Sequence, residues 1–526
     1  MGSETSTLVD LESELTLEDS LADDLAEAKR DSAIDGPSFL PNSWFQGRIL
    51  RERVEKFCHI SSDFPFEQLV KIIAILAGRC ILTNDTLSAL RASGLSDKHL
   101  PVEFDAAKNT FKSINGDANS RETNSPTKTF ERFLAKLDCF QFCQDQWKVL
   151  SPSFGNAEHS DLDKGIILPF IGYEYITAST HARVSKIKIH RAHLKLDEAL
   201  TEEKNPHLAL KRIFSYKETE FQQELDELHQ TMRLQHDHLT KLVASFRRRS
   251  EYFFILPWAD GGNLRNFWAN NTERRSGPMV AWVLEQMVGI STALKELHYP
   301  GGAGLRGSVH GHILPENILL FLDKVKEDHL GTLCISDPGM ASYHNKVRGS
   351  RLRGPETPET RRRRLEYVAP ELEYQRGDRD LEPTRESDMW SLGCVFLECI
   401  VWVLGGNKEV ELFREARVTD WTRESQFHQE KGWLWRKASF QPHDQVKWRL
   451  KWIRQHPDSR LYVWVPKLTY IVYHDLLAVE ETNRISANIL VDKLHEILEE
   501  VRNSQGAHSN RLSSSTEGGG SSHRRM

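Results

Sequence analysis

One short stretch carries much of the information about the architecture of this chain, and it reads HGHILPENILL from His310 to Leu320. Three further motifs follow it along the sequence. They are DPG at Asp337–Gly339, APE at Ala369–Glu371 and DMWSLG at Asp388–Gly393. A single motif of this kind is weak evidence for a particular fold, whereas four motifs in this order and at this spacing are strong evidence.

Around these motifs the hydrophobic pattern changes along the chain. Upstream, short runs rich in β-branched and aromatic residues predict a small mixed sheet with one polar helix. Beyond Val280 the spacing of apolar residues predicts mostly helices. The predicted strands are Val184–Ile189, His207–Ile213 and Tyr252–Leu256, and the predicted helices are Glu218–Leu234, Val280–Leu297, Asp388–Leu404, Val446–Gln455 and Ala487–Val501.

Taken together, the four motifs resemble the H-R-D-L-K-P-E-N, D-F-G, A-P-E and D-x-W-S-x-G series of eukaryotic protein kinases. The resemblance covers about Leu168 to Val501, and the chain looks like the divergent protein-kinase-domain proteins of filamentous fungi. It implies an α+β fold, the two-lobed protein kinase fold, with a small β-rich N-lobe and a large helical C-lobe. A mainly α-helical N-terminal domain is expected to precede it.

Composition and resemblance together predict four segments. Residues 1–38 are expected to form an acidic disordered arm, and 39–160 a helical N-terminal domain with a disordered loop near 115–128. Residues 165–502 are the kinase-like domain, with the N-lobe at 165–258 and the C-lobe at 259–502. Residues 503–526, rich in Ser, Gly and His, are expected to be a disordered tail.

Composition excludes several classes of protein. Of the 526 residues, 39% are hydrophobic and 27% are charged, a soluble globular balance, and no apolar run approaches the ~20 residues that a bilayer requires. The net charge of −6 gives no overall nucleic-acid signature, so membrane and nucleic acid are not expected partners. Seven cysteines without regular spacing favour free thiols and an intracellular location, in cytoplasm or nucleus.

The resemblance implies that one group of residues holds ATP and Mg²⁺. Lys211, in HLALK, matches the third-strand lysine that holds the α- and β-phosphates, and its partner is Glu224 or, three residues on, Glu227. Asn317 and Asp337 match the Mg²⁺ ligands. The hinge that binds adenine through its backbone corresponds to residues 252–264, with Leu256 at the gatekeeper position and Trp258 beside it.

The loop that should cover the phosphates departs from the family pattern. G-x-G-x-x-G-x-V corresponds to Thr177–Val184, and Thr177, Ser179 and Ala182 replace the three glycines while Val184 matches the valine. Glycine serves there because the backbone must approach phosphate closely, at angles that cost other residues about 1 kcal/mol or more. The three replacements are small, so weaker binding of nucleotide is expected rather than a blocked pocket.

The residues implied to act on the acceptor hydroxyl depart further. His312 stands where the family has the aspartate that accepts the proton, Leu314 replaces a lysine, and Arg364 replaces a threonine five residues before Ala369. Imidazole is able to act as a base, and loss of acid–base help alone costs about 10²–10⁴-fold. Leucine, however, cannot neutralise a transferring phosphoryl group. Pro338 also stands where phenylalanine is usual.

Two charged segments suggest an interaction within the chain. Residues 1–35 carry eleven acidic and two basic residues, a local charge of −9, whereas residues 346–364 carry +6. The basic segment has the ordinary explanation of a solvated loop. A sharper hypothesis is that the acidic arm docks on it at low salt.

Three functions therefore stay open. The first is a pseudokinase that binds ATP and Mg²⁺ and acts as a scaffold or allosteric regulator of an unidentified protein partner. The second is an active protein serine/threonine kinase that uses His312 as an atypical base. The third is a module that binds acidic partners or nucleic acid through the basic segment.

Overall fold

This computed structural model divides the chain into two compact units, which are described separately. The first unit comprises Met1–Thr177, Arg183–Arg212 and Val243–Leu256, and the second Ala178–Ala182, Ile213–Leu242 and Pro257–Met526. Within them, the structure describes residues 26–46, 51–52, 54–55, 64–107, 110–114, 138–178, 182–195, 205–213, 222, 226, 229, 234–272, 276–301, 307–322, 330–336, 366–374, 382–418, 426–434 and 437–516.

The N-terminal part of the first unit is built mainly from short helices around a small apolar core. The run VKIIAILA at Val70–Ala77 forms a helix that is buried at almost every position. The next helix begins at a capping box, in which Thr83 and Thr86 each accept the other's backbone N–H, and ends at Gly94 with φ +70°. Its elements are β1 (Arg30–Asp31), β2 (Ser38–Phe39), α1 (Asn42–Gln46), α2 (Val70–Ala77), α3 (Asn84–Ser93), β3 (Val102–Asp105), β4 (Thr110–Ser113) and α4 (Cys139–Asp145).

A six-stranded sheet forms the rest of the first unit, with neighbouring strands in the order Glu158–Leu162, Ala244–Arg248, Glu251–Pro257, His207–Ile213, Ala182–Ile189 and Phe170–Ala178. Three of its strands, Ala182–Ile189, His207–Ile213 and Glu251–Pro257, lie where the sequence predicts strands. The hairpin between Ala244–Arg248 and Glu251–Pro257 turns at Arg249 and Ser250, both with positive φ, which suits the twist of a two-residue hairpin loop. The strands are β5 (Phe154–Gly155), β6 (Glu158–Leu162), β7 (Phe170–Ala178), β8 (Ala182–Ile189), β9 (Leu194–Lys195), β10 (His207–Ile213), β11 (Ala244–Arg248) and β12 (Glu251–Pro257).

The sheet begins earlier in the sequence than the boundary predicted at 160–165. β6 pairs in parallel with β11, and the ring of Phe154 lies 5.3 Å from that of Phe246 and 5.9 Å from that of Phe170. Residues 154–162 therefore belong to the sheet and its core. Polar β6, EHSDL, has no apolar alternation, because it lies at the sheet edge and is half exposed.

Residues 30–42 fasten the N-terminal part to this sheet. Asp35 forms a buried ion pair with Arg248 at 2.7 Å and accepts the backbone N–H of Leu168 at 2.9 Å. The fully buried ring of Phe39 contacts that of His193. The predicted disordered arm at 1–38 thus includes residues with an ordered position at its C-terminal end, and residues 1–25 lie outside the described part.

The second unit is predominantly helical, around a large apolar core. Its longest helix contains fully buried Trp390 and Trp402 and is kinked at Gly406, where φ is +79°. That helix alone, among those in the described residues, is long and apolar enough to cross a membrane, but 89% of its apolar window is buried in this core. A buried core helix of this kind is weak support for a membrane span.

Helices of the second unit cover those predicted at 280–297, 388–404, 446–455 and 487–501, and the second of them continues to Ala416. The last helix extends to Thr516, past the predicted start of a disordered tail at 503, since residues 503–516 contain no proline and a single glycine. In the first unit, the disordered loop predicted near 115–128 lies outside the described residues. The elements are α5 (Leu264–Asn270), α6 (Gly277–His298), β13 (Ile318–Phe321), β14 (Thr332–Ile335), α7 (Pro370–Tyr374), α8 (Arg385–Ala416), β15 (His428–Leu434), β16 (Lys437–Pro442), α9 (Asp444–Gln455), α10 (Trp464–Ile471) and α11 (Ala487–Thr516).

Candidate functional site

Lys211 lies on β10 of the first unit and is only 7% exposed. Lysine is almost never buried to this degree unless its ammonium group is paired. Both predicted carboxylate partners, Glu224 and Glu227, lie outside the described residues, as does most of the predicted helix at 218–234. Lys211 is thus buried, and both its role and the choice of its partner stay predictions.

The other predicted nucleotide residues of the sheet lie at the ends of its strands. Thr177 is exposed near the end of β7, whereas Ala182 is buried at the start of β8 and Val184 is half-buried. Ser179 lies outside the described residues. Half-buried Leu256 lies near the end of β12, and Trp258 follows that strand.

In the second unit, the loop at 310–317 is held by a buried carboxylate. Asp388, 1% exposed at the start of α8, accepts the backbone N–H groups of His310 and Gly311, each at 2.7 Å. The Nε2 atom of buried His298 lies 2.9 Å from the same carboxylate. Gly311 has φ +71°, a conformation that suits glycine, so the loop is fixed through its backbone.

The β13–β14 hairpin places Asn317, the first predicted metal ligand, beside Ser336. Because Ile318 pairs with Ile335 in antiparallel register, Asn317 and Ser336 lie side by side. The N–H and hydroxyl of Ser336 both donate to the carbonyl of Asn317, at 2.9 and 3.0 Å. Asp337, the second predicted ligand, directly follows Ser336 but lies outside the described residues.

Buried His310 links the loop to this hairpin. Its Nε2 atom lies 2.8 Å from the carbonyl of Ser336, and its Nδ1 atom lies 3.2 Å from the backbone N–H of His312. A carbonyl only accepts and an N–H only donates, so the neutral ring carries its proton on Nε2. His310 is therefore a structural residue that fixes the position of His312.

His312, predicted at the position of the catalytic aspartate, is engaged by Asn317. The side-chain amide of Asn317 donates to the carbonyl of His312 at 2.9 Å, which identifies the amide nitrogen, and this nitrogen lies 3.1 Å from Nδ1 of the same histidine. Because an amide nitrogen only donates, Nδ1 accepts, and the neutral ring carries its proton on Nε2. The ring then presents an N–H donor at Nε2.

Leu314 fills the lysine position with an apolar side chain. It is 5% exposed and belongs to the core of the second unit. No charge is therefore supplied from this position. Arg364 and Pro338, the other two changes predicted to matter, lie outside the described residues.

A buried network of charged groups, which the sequence did not predict, supports the same loop. Arg265 on α5 donates to Glu316 at 3.1 Å and to the hydroxyl of Tyr367 at 2.5 Å, and that hydroxyl donates to Glu398 at 2.6 Å. Arg417 donates to Glu398 at 2.9 Å and also binds Glu366. The network connects the loop, the segment before the APE motif and α8, through residues far apart in sequence.

Burial and charge act in opposite directions within this network. Burial would lower the pKa of Arg265, but the neighbouring Tyr367, Glu398 and Glu316 raise that pKa above its ordinary value. Burial raises the pKa of the Glu366 carboxyl, and the positive charge of Arg417 opposes the change. At both Arg265 and Glu366, therefore, burial and the neighbouring charges oppose each other.

The APE glutamate is positioned as predicted. Glu371 accepts two hydrogen bonds from the guanidinium of Arg484, both at 2.7 Å. Arg484 also donates to the carbonyls of Ala478 and Glu386. This bidentate ion pair confirms the structural role predicted for both residues.

Comparison with known proteins agrees with this geometry. A family model described as "Protein kinase domain" matches residues 195–493, more than half of the chain. CBL-interacting protein kinase 30 of Oryza sativa subsp. japonica is 26% identical over 190 residues, which are 36% of this chain and 34% of that protein. MAP kinase kinase kinase wis4 of Schizosaccharomyces pombe is 26% identical over 206 residues, 36% of this chain and 13% of that protein. The chain thus matches about a third or less of each relative's length.

Proposed function

Because this chain belongs to the protein kinase family, we propose that it binds ATP with Mg²⁺ and acts mainly as a scaffold or allosteric partner, with phosphotransfer weak or lost. Two groups of residues support different parts of this proposal. Lys211, Asn317 and Asp337, which would hold phosphate and metal, keep the types that the family uses, whereas the three glycines of the phosphate-covering loop are replaced. The residues that would act on an acceptor hydroxyl do not keep the family's types.

Lys211 and Asn317 carry the nucleotide part of the proposal. In the first unit, buried Lys211 would place an ammonium group on the phosphates. In the second, Asn317 uses its amide nitrogen within the loop, so its amide oxygen is the atom that would ligate Mg²⁺. When bound, the metal neutralises phosphate charge.

The contact between Asn317 and His312 is the observation that carries the phosphotransfer part. A general base must offer an unprotonated atom to the acceptor hydroxyl. Nδ1 of His312 is already used as an acceptor by Asn317, and Nε2 carries the ring proton. With Leu314 buried in the core as well, neither position supplies what transfer of a phosphoryl group requires.

An active protein serine/threonine kinase with His312 as its base is the second candidate. The intact backbone framework of the loop favours it, since Asp388 holds the loop and Glu371 pairs with Arg484. Reversal of the imidazole tautomer would give Nε2 a lone pair at the expense of the Asn317 contact. The similarity to fungal kinase-domain proteins stays a prediction under either candidate.

Two measurements on the full chain test the proposal. MgATP is expected to raise the melting temperature of the wild type but not of Lys211→Ala, while Lys188→Ala, in the adjacent strand, serves as the matched control. Transfer of labelled phosphate to protein substrates is expected at background level. Strong labelling that depends on Lys211 would establish the second candidate instead, and absence of any nucleotide-dependent stabilisation would remove the ATP part.

A further inference from the structure

An exposed apolar surface lies on α10 and the residues that lead into it. Leu461 is 66% exposed, Val463 50% and Tyr470 59%, and Pro466 between them is also exposed. We refer to these four residues as the α10 surface. The opposite side of α10 is buried in the core through Trp464, Val465 and Leu468, so the helix is anchored while this side faces solvent.

The spacing of the α10 surface matches helix-to-helix packing. Val463, Pro466 and Tyr470 stand at i, i+3 and i+7, which places them along one stripe of the helix. Ridges of this kind pack into the grooves of a second helix. The Tyr470 ring packs against the ring of His474, with centroids 4.4 Å apart and planes tilted by 37°, so an aromatic anchor is already held in position before any partner arrives.

Exposed basic residues lie on α9, which contacts α10, and directly before Leu461. Lys451, Arg454 and Arg460 are exposed, and the structure gives them no ion pair within the residues it describes. Lys467, on the same helix, pairs with Glu500. Residues 444–473 contain six basic and two acidic residues, a charge of +4 in a chain whose net charge is −6.

We infer that the α10 surface docks an acidic amphipathic helix of a partner protein. Leucine-type side chains on that helix would pack beside Leu461, Val463 and Tyr470, and its carboxylates would meet Arg454 and Arg460. This inference names a partner class for the proposed scaffold function and rests on that function only for its biological meaning. Docking itself requires no nucleotide.

A fluorescent peptide is a direct probe, and residues 8–25 of this chain provide one of suitable composition, with leucines at near-helical spacing and seven acidic but no basic residues. Added to the full chain without nucleotide, it is expected to bind at low salt and to be released as salt rises. Tyr470→Ser and Arg460→Glu are each expected to weaken binding by at least about tenfold. Phe140→Ser, which removes an aromatic residue 76% exposed on α4, is the matched control and should change nothing.

The same peptide should be tested on a chain that carries Leu8→Ser, Leu11→Ser and Leu15→Ser. Binding to this variant but not to the wild type would assign the surface to the chain's own N-terminal segment and overturn the assignment to a partner protein. Two results would overturn the docking site. One is that the peptide binds neither the wild type nor the triple-serine variant. The other is that it binds the Tyr470→Ser and Arg460→Glu chains as tightly as the wild type while their melting temperatures are unchanged. Because the assay omits nucleotide, these results are independent of whether ATP binds.

Discussion

The two halves of the loop at 310–317 differ in what they retain. The anchoring half keeps buried His310 and the two backbone N–H groups that Asp388 accepts. The acceptor half has His312 and Leu314 where the family uses an aspartate and a lysine. The contrast teaches that the conformation of such a loop does not depend on the reacting side chains, since backbone groups and a remote carboxylate hold it.

Removal of the anchor should have the largest effect. Asp388→Ala leaves two buried N–H groups and His298 without their acceptor, and each such loss costs about 1–3 kcal/mol, so we expect the free energy of unfolding to fall by about 4 kcal/mol. Urea denaturation measures this change. The control Glu386→Ala, exposed on the same helical turn, should stay close to wild type; equal losses in both variants would show that Asp388 is no special anchor.

Acid should weaken a second buried framework contact, in the first unit. Burial lowers the pKa of His193 from 6.5 to about 4. The Nδ1 atom of this ring donates to the backbone carbonyl of Pro152, and its Nε2 atom accepts the backbone N–H of Asn42. The folded state therefore binds the proton less readily than the unfolded state. The contribution of His193 to the free energy of unfolding is fully present above pH 6.5 and is lost as the pH falls towards 4, by up to about 3 kcal/mol.

Denaturation of the wild type and of His193→Gln across this pH range isolates the effect from that of other groups. The difference in unfolding free energy between the two proteins should shrink steadily from pH 7 to pH 4. A constant difference would mean that His193 is not held in its neutral form.

Restoring the family's lysine at position 314, in the acceptor half, should destabilise the fold. Leu314→Lys places an ammonium group where a leucine is 5% exposed in the core, and we expect a loss of about 2–3 kcal/mol in unfolding free energy. Leu314→Met conserves volume and apolarity and should cost less than about 1.5 kcal/mol. Similar stability of the two variants would show that position 314 is open to solvent in solution.

The sequence predicted local features better than contacts between distant segments. The helices at 280–297 and 388–404, the strand at 207–213 and the pair Glu371–Arg484 follow from periodicity and motif, and they are present. The network around Arg265 and Glu398 was missed because its members come from separate segments and show no local signal. β6 was missed because its polar residues pair at a sheet edge, where apolar alternation is not required.

The smallest effect should come from His312→Asp alone. A carboxylate at this position accepts the amide of Asn317 and restores an acceptor for the substrate proton, yet Leu314 still supplies no charge to the phosphoryl group. We therefore expect phosphotransfer to rise by no more than about tenfold over the wild type, a gain of about 1.4 kcal/mol. Single-turnover assays measure this rate, with Lys211→Ala in the same background as the control. A rise of about 10³-fold or more would show that the residue at position 312 alone prevents phosphotransfer, so that Leu314 is no obstacle.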